Sequence, residues 1–99
     1  MSEDIIAEVG IDDVGRLYVR PASMSFEHVW RAAGEVNWDS STSRLVGPKQ
    51  REWTYADWFR QIVAVVADEY GAQLRLVPET VWSNVPDALR TEINSVSRA

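Results

Sequence analysis

The stretch from Thr54 to Gly71 constrains the fold more than any other, because it predicts one long amphipathic helix with both ends marked. Thr54 is a suitable N-cap, Asp57 completes a capping box, and Trp53 and Trp58 occupy the positions of a hydrophobic staple. Gly71 can adopt the left-handed conformation that ends a helix. The apolar side chains share one broad arc of the helix: Tyr55, Trp58, Phe59, Ile62, Val63, Val65, Val66 and Tyr70. An arc this wide must be covered on more than one side, so we expect the rest of the chain to wrap around it.

The first twenty residues predict a β-hairpin. From Ile5 to Ile11 the chain alternates, with Ile5, Ala7, Val9 and Ile11 on one side and Ile6, Glu8 and Gly10 on the other. Gly15 ends a turn at which positive φ is needed. In the returning strand, Leu17 and Val19 face inward, and Pro21 ends the pairing because it has no N–H to donate.

The remaining elements follow from the same patterns. A short helix starts at Ser25, buries Phe26, Val29, Trp30 and Ala33, and stops at Gly34. Strands are expected at Val36–Asp39, Arg44–Gly47 and Gln73–Val77, the last with Leu74 and Leu76 inward, and Pro48–Glu52 is a connector. A final helix from about Val85 buries Val85, Leu89, Ile93 and Val96. The chain therefore predicts a single α+β domain over residues 1–99, in the order ββαββαβα, with an antiparallel sheet and helices on one face.

Charge and composition narrow the classes of partner. The chain has 99 residues, a net charge of −5 and no cysteine, and its first fifteen residues carry five carboxylates and no basic residue. Such a chain repels phosphate backbones and anionic lipids, so we expect neither nucleic-acid nor membrane binding. Solubility alone explains a negative charge of this size, and a basic protein partner is the other interpretation. The N-terminus lacks the pattern of a signal peptide, which favours the cytoplasm.

No catalytic or metal-binding motif is present. The glycines of Gly10–Gly15 have the spacing of a phosphate-binding loop but lack the Lys that should follow, and two carboxylates take the place of phosphate. With one histidine and no cysteine, we predict no metal site and no cofactor. His28 lies on the polar side of the first helix, where a solvated surface histidine is expected.

The outward side of the predicted sheet is the candidate binding surface. Its residues are Arg16, Tyr18 and Arg20 on the second strand and Arg75 on the fifth, with Glu8 on the first. A solvated sheet face has this composition by default, yet Tyr and Arg are also the residues that dominate interfaces. We predict that Arg16, Tyr18, Arg20 and Arg75 bind a partner, with Tyr18 as an exposed anchor.

Five tryptophans leave a second interpretation open. Most occupy positions that core packing explains, but they could also line a pocket for a small molecule. The function predicted is thus a non-enzymatic protein-interaction module that self-associates or, by analogy of size and charge, acts as an immunity-type protein against a basic toxin. The alternative is a small-molecule-binding protein or small enzyme with an aromatic-lined pocket, using His28 or a carboxylate as its polar group.

Two stretches carry a resemblance to a known group. The sequences GRLYVRP, from Gly15 to Pro21, and EWTYADWFRQI, from Glu52 to Ile62, resemble small uncharacterised bacterial proteins, some of them carried on mobile gene cassettes. The similarity runs along most of the chain. It implies no activity, because that group has no catalytic motif to place on residues here.

Overall fold

The computed structural model describes residues 2–31, 34–49 and 53–98. Its elements are β1 (Ser2–Ile11), β2 (Arg16–Pro21), a 3-10 helix (Val29–Arg31), β3 (Asn37–Asp39), β4 (Arg44–Lys49), α1 (Tyr55–Tyr70), β5 (Ala72–Arg75), β6 (Val81–Ser83) and α2 (Asp87–Arg98). The α+β class is confirmed. In the described ranges neither helix is long and apolar enough to cross a membrane.

The sheet is mixed, which corrects the prediction of a purely antiparallel one. Its order is β3-β4-β2-β1-β5, and β6 also pairs with β1. The pairs β1–β2, β2–β4 and β3–β4 are antiparallel, whereas β5 and β6 run parallel to β1. Strand β4 runs in the same direction as β1, because two antiparallel pairs separate them. The crossover through α1 returns the chain to the sheet so that β5 runs in the direction of β4, and β5 is therefore parallel to β1.

Helix α1 has the ends and the buried face that the sequence predicts. Thr54 and Asp57 form the capping box, and Gly71 is left-handed with φ of 62°. The rings of Trp53 and Trp58 lie 4.7 Å apart between centroids, as the staple requires. The buried residues of the helix are Ala56, Phe59, Ile62, Val65 and Val66, and they pack over the inner side of the sheet.

A β-bulge in β1 changes which of its residues are buried. The register against β2 shifts between Ile6 and Glu8. Ile6 is fully buried, whereas Ile5 is 48% exposed, the reverse of the predicted alternation at that end. After the bulge Val9 is buried as expected. One extra residue moves every side chain before it to the opposite face, which an unbroken period of two cannot show.

The first predicted helix is a single 3-10 turn, Val29–Arg31. Phe26 and Val29 are buried as predicted, but Trp30 is 51% exposed, because so short a turn has no second face to bury. The predicted role of Ala33 and part of the connector, residues 50–52, lie outside the described residues. In α2, Ile93 is buried and Leu89 is partly buried. The Val96 side chain also lies outside the described part.

Candidate functional site

One side of the sheet packs against α1, and the other side, which we call the outer face, carries the predicted binding residues. Strand register aligns a row across this face: Asp39 on β3 is paired with Arg44 on β4, and Glu8 on β1 is paired with Arg20 on β2 and Val81 on β6. Because Val19 pairs with Leu45 in the antiparallel β2–β4 ladder, Arg20 lies level with Arg44. The adjacent row holds Val46, Tyr18, Gly10 and Ser83.

Glu8 is the centre of the polar contacts on the outer face. Its carboxylate accepts hydrogen bonds from Tyr18 Oη at 2.7 Å, from Arg20 Nε at 3.3 Å and from Ser83 Oγ. Burial alone would raise the pKa of Glu8, but these hydrogen bonds and the positive charge of Arg44 outweigh it and hold the pKa below the ordinary value. The carboxylate is therefore ionised at neutral pH and fixes the side chains around it.

Tyr18 points to the outer face, but the prediction that it is exposed is wrong, since only 4% of the residue is accessible. Gly10 provides the space for its ring: a Cβ atom at that position would lie 2.3 Å from Tyr18 Oη. The guanidinium of Arg44 covers the ring, with Cζ 3.9 Å from the centroid. Burial and the bond to Glu8 raise the pKa of the Tyr18 hydroxyl. Tyr18 thus supports the surface from below.

The other predicted site residues are each paired with a carboxylate. Arg16 Nε lies 3.0 Å from Asp12 Oδ2, and Arg75 Nη1 lies 2.9 Å from Glu3 Oε1. The structure therefore brings Tyr18 and Arg20 together at Glu8. It places Arg16 beside the hairpin turn and Arg75 on β5, near the opposite end of the hairpin.

Two members of the polar cluster around Glu8 and Tyr18 were missed by the sequence reasoning. Arg44 could have been found, because a strand over Arg44–Gly47 with Leu45 inward places Arg44 on the outward side. Ser83 could not, because β6 has only three residues and no pattern of its own.

Exposed apolar side chains flank the polar cluster. Ile5 is 48% and Val81 is 52% exposed, and the register places both on the outer face, beside Arg75 and Glu8 respectively. Val14, which is 46% exposed, lies instead in the hairpin turn. The outer face therefore combines a polar centre that is fixed by hydrogen bonds with exposed apolar side chains at its margins.

The acidic N-terminal segment does not form an open acidic surface. Asp4 is buried and accepts hydrogen bonds from the backbone N–H groups of Ser23 and Met24, which hold the chain after β2 against β1. Burial alone would raise the pKa of Asp4, but these bonds lower it. Glu3, Glu8 and Asp12 bind arginines, as described above. Asp13 is exposed at the turn.

The tryptophans do not gather around His28, because Trp53 and Trp58 pack on each other and Trp38 packs against Phe26. One surface depression of about 490 Å³ is lined by Trp53, Asp57, Arg60, Gln61 and Ala64, and another of about 530 Å³ includes Trp38 among polar residues such as Asn37 and Asp39. His28 is exposed and lines neither. In the described part of the chain no group of three or more His, Asp or Glu side chains could hold a metal ion.

Comparison with known proteins gives the family. The model of the family described as Integron Cassette Protein Hfx_Cass5 matches residues 4–80. The chain belongs to the Hfx_Cass5 family of integron cassette proteins. A solved structure of an Hfx_Cass5 protein, from the mobile metagenome of the North West Arm sewage outfall, is 42% identical. The match covers 100% of this chain and 99% of that one, with a TM-score of 0.50. A search of curated proteins finds no match.

Membership of the Hfx_Cass5 family confirms the predicted resemblance to proteins of mobile gene cassettes. The family match contains Glu8, Tyr18, Arg20 and Arg44, whereas Val81 and Ser83 lie beyond its end. The description of the family names no activity or partner.

Proposed function

We propose that this cassette protein is a non-enzymatic interaction module that self-associates through its outer face. The observation that carries the proposal is the combination of exposed Ile5 and Val81 with a polar cluster whose side chains are already fixed by hydrogen bonds. Fixed side chains lose little entropy on binding, which favours their use as contacts.

The charge pattern supports a second copy as the occupant. The outer face and its margins carry four arginines and four carboxylates, Arg16, Arg20, Arg44 and Arg75 with Glu3, Glu8, Asp12 and Asp39. This balance contrasts with the chain as a whole, whose net charge is −5. A second copy can therefore approach this face without strong repulsion. When two copies are related by a two-fold axis, each presents the same mixture of charges to the other.

The size of the face sets the expected strength. The sheet is five strands wide, because β5 and β6 share one edge, and its strands of three to ten residues form a surface of about 20 Å by about 20 Å. Side chains that project from the sheet increase the accessible area, but the total still lies at or below the roughly 800 Å² per partner of a standard interface. We therefore expect association in the micromolar range rather than an obligate dimer.

Pairing through the sheet edges has less support than contact through the face. The edge strand β3 has three residues, and the other edge is divided between β5 and β6, of four and three residues. Short and interrupted edges are a common protection against edge-to-edge pairing. A small-molecule site is also less supported, because in the described part of the chain Trp53 and Trp38 line two different depressions and His28 lines neither of them.

Sedimentation velocity over a concentration series tests the proposal. The wild type should shift toward a dimer as its concentration rises, and Val81→Arg should remain a monomer with an unchanged far-UV spectrum. The matched control is Val14→Arg, which places the same charge at an equally exposed valine away from the face, and it should associate like the wild type. A wild type that stays monomeric throughout would contradict self-association. In that case, capture of a basic protein from the host would support the immunity-type role instead.

A further inference from the structure

Arg44 differs from the other arginines of the outer face. Arg16, Arg20 and Arg75 each lie within 3.3 Å of a carboxylate oxygen, whereas Arg44 forms no ion pair with any residue that the structure describes. Its strand neighbour Asp39 uses Oδ1 to accept hydrogen bonds from the backbone N–H and the hydroxyl of Ser41. The positive charge of Arg44 is therefore held on the surface without a direct counter-ion.

The position of Arg44 is nevertheless fixed. Its guanidinium stacks on Tyr18 at 3.9 Å, and the Tyr18 ring is itself held by Glu8 and lies over Gly10. Within the described residues, Arg44 Nε is buried and has no hydrogen-bond partner. Four of the five N–H donors of an arginine are on the terminal nitrogens, so these are the donors left to a ligand. Stacking on the Tyr18 ring fixes the plane of the guanidinium before any ligand binds.

Arg20 makes this position a site for an anion. The two arginines lie opposite each other on antiparallel strands, and like charges in this arrangement repel. Glu8 forms an ion pair with Arg20, and Asp39 beside Arg44 accepts hydrogen bonds from Ser41, so within the described residues no carboxylate oxygen forms an ion pair with the Arg44 guanidinium. A second carboxylate placed over the two guanidiniums would remove the repulsion and match the bidentate geometry that arginine prefers.

We propose that Arg44, with Arg20 beside it, binds a carboxylate of the facing copy and is the anchor of the interface. This inference rests on the proposed function, since the second copy supplies the carboxylate. The anchor of the interface is then Arg44, which is partly exposed, and not Tyr18, which is buried beneath it. The role of Tyr18 is then to position the guanidinium.

Titration with a blocked peptide tests the site independently of the dimer. The probe is a short peptide with neutral ends and two glutamates, added to ¹⁵N-labelled wild type at constant ionic strength. The same peptide with glutamines in their place is the control. We expect saturable shifts of the Arg44 and Arg20 side-chain signals and of the backbone amides around Glu8 and Ser83, with the glutamate peptide alone. Equal shifts with both peptides, or no saturation, would overturn the proposal.

Two variants separate a specific site from general charge. Arg44→Met keeps an extended side chain over Tyr18 and should weaken glutamate-peptide binding about tenfold or more, the consequence of losing one charged hydrogen-bond pair. Arg60→Gln removes the same charge from the exposed side of α1, away from the outer face, and should change binding less than about twofold, because exposed charges contribute little at a distance. Equal losses in both variants would overturn the proposal.

Sedimentation of the same variants distinguishes the two proposals. Under the present inference Arg44→Met should weaken association of the chain, and Arg60→Gln should preserve it. If the wild type associates and Val81→Arg abolishes this, but Arg44→Met has no effect, the carboxylate site is refuted and self-association stands. If the peptide binds at Arg44 while the wild type stays monomeric, self-association fails and the anion site is supported.

Discussion

The two faces of the sheet are stabilised in different ways. On the inner face, Val9, Leu17, Val19 and Leu45 are fully buried beneath α1, where shape and apolar area determine stability. On the outer face, Tyr18 is nearly as buried, but a carboxylate, an arginine and a glycine bury it. Apolar packing tolerates small changes, whereas a hydrogen-bonded cluster depends on each partner. The inner face therefore holds the fold, and the outer face is built to present a fixed surface.

The largest expected effect is on the inner face. Phe59 is almost fully buried in α1, so Phe59→Ala should lower the free energy of unfolding by about 3–5 kcal/mol. A domain of this size has a total stability of about 5–15 kcal/mol, so partial unfolding is expected. Urea unfolding measures the change. Val81→Ala is the control on the outer face and should stay within about 0.5 kcal/mol of wild type. Comparable losses in the two variants would mean that the faces do not differ as described.

The next effect concerns the central hydrogen bond of the outer face. Tyr18→Phe removes the donor to Glu8 and should cost about 1.5–3 kcal/mol, the range for a bond to a charged group. The matched control is Tyr55→Phe, which removes a hydrogen bond to the neutral carbonyl of Gly15 and should cost about 0.5–1.5 kcal/mol. Urea midpoints of the two variants decide the comparison. A larger loss at Tyr55 would contradict the central role of Glu8.

A third variant tests the space under the ring. The methyl group of Gly10→Ala would overlap Tyr18, which is held by its partners, so we expect a loss of about 1–3 kcal/mol. In a Tyr18→Ala background most of this loss should disappear, because the two positions are coupled. Gly34→Ala, where an added Cβ meets no atom within 4 Å, should change stability by less than about 0.5 kcal/mol. If Gly10→Ala lowers the stability as much in the Tyr18→Ala background as in the wild type, the loss comes from the backbone and not from overlap with the ring.

The smallest effect is expected in the pH dependence of stability. Asp4 and Glu8 lie on β1 on opposite sides of the bulge, and hydrogen bonds lower the pKa of both in the folded state. The unfolded chain then binds more protons in acid. The stabilisation is complete above the ordinary values of 3.8 and 4.5 and is lost as the pH falls through the lower folded-state values. Urea unfolding gives the free energy of unfolding at each pH from neutral to acid. This free energy should decline less steeply with falling pH in Asp4→Asn and in Glu8→Gln than in the wild type. A wild-type slope in both variants would refute this assignment.

Local patterns predicted the inner face well. The period of two in Leu17 and Val19, and the caps and apolar arc of α1, are properties of single elements, and the structure confirms them. The prediction of a helix after Ser25 is wrong at Trp30, because only a 3-10 turn over Val29–Arg31 forms and it does not keep the α-helical spacing from which the burial of Trp30 is inferred. Burial at Phe26 comes from packing against Trp38 and Tyr70, not from helical periodicity.

The outer face could be predicted only in part. The side chains of Tyr18 and Arg20 point where alternation places them, but the burial of Tyr18 depends on Gly10 and Arg44, which lie on other strands. The exchange of Ile5 and Ile6 depends on a bulge that exists only relative to β2. Contacts between elements decide these features, and a single sequence does not display them.

The central claim, that the outer face is the surface through which copies of this chain associate, is tested most directly by NMR during dilution. Amide signals of ¹⁵N-labelled protein are followed from millimolar to low micromolar concentration. We expect concentration-dependent shifts on the outer-face strands, at Ile5, Glu8, Arg44 and Val81, while the exposed side of α1, at Arg60 and Ala64, stays unchanged. Shifts confined to α1, or none over the whole range, would contradict the claim.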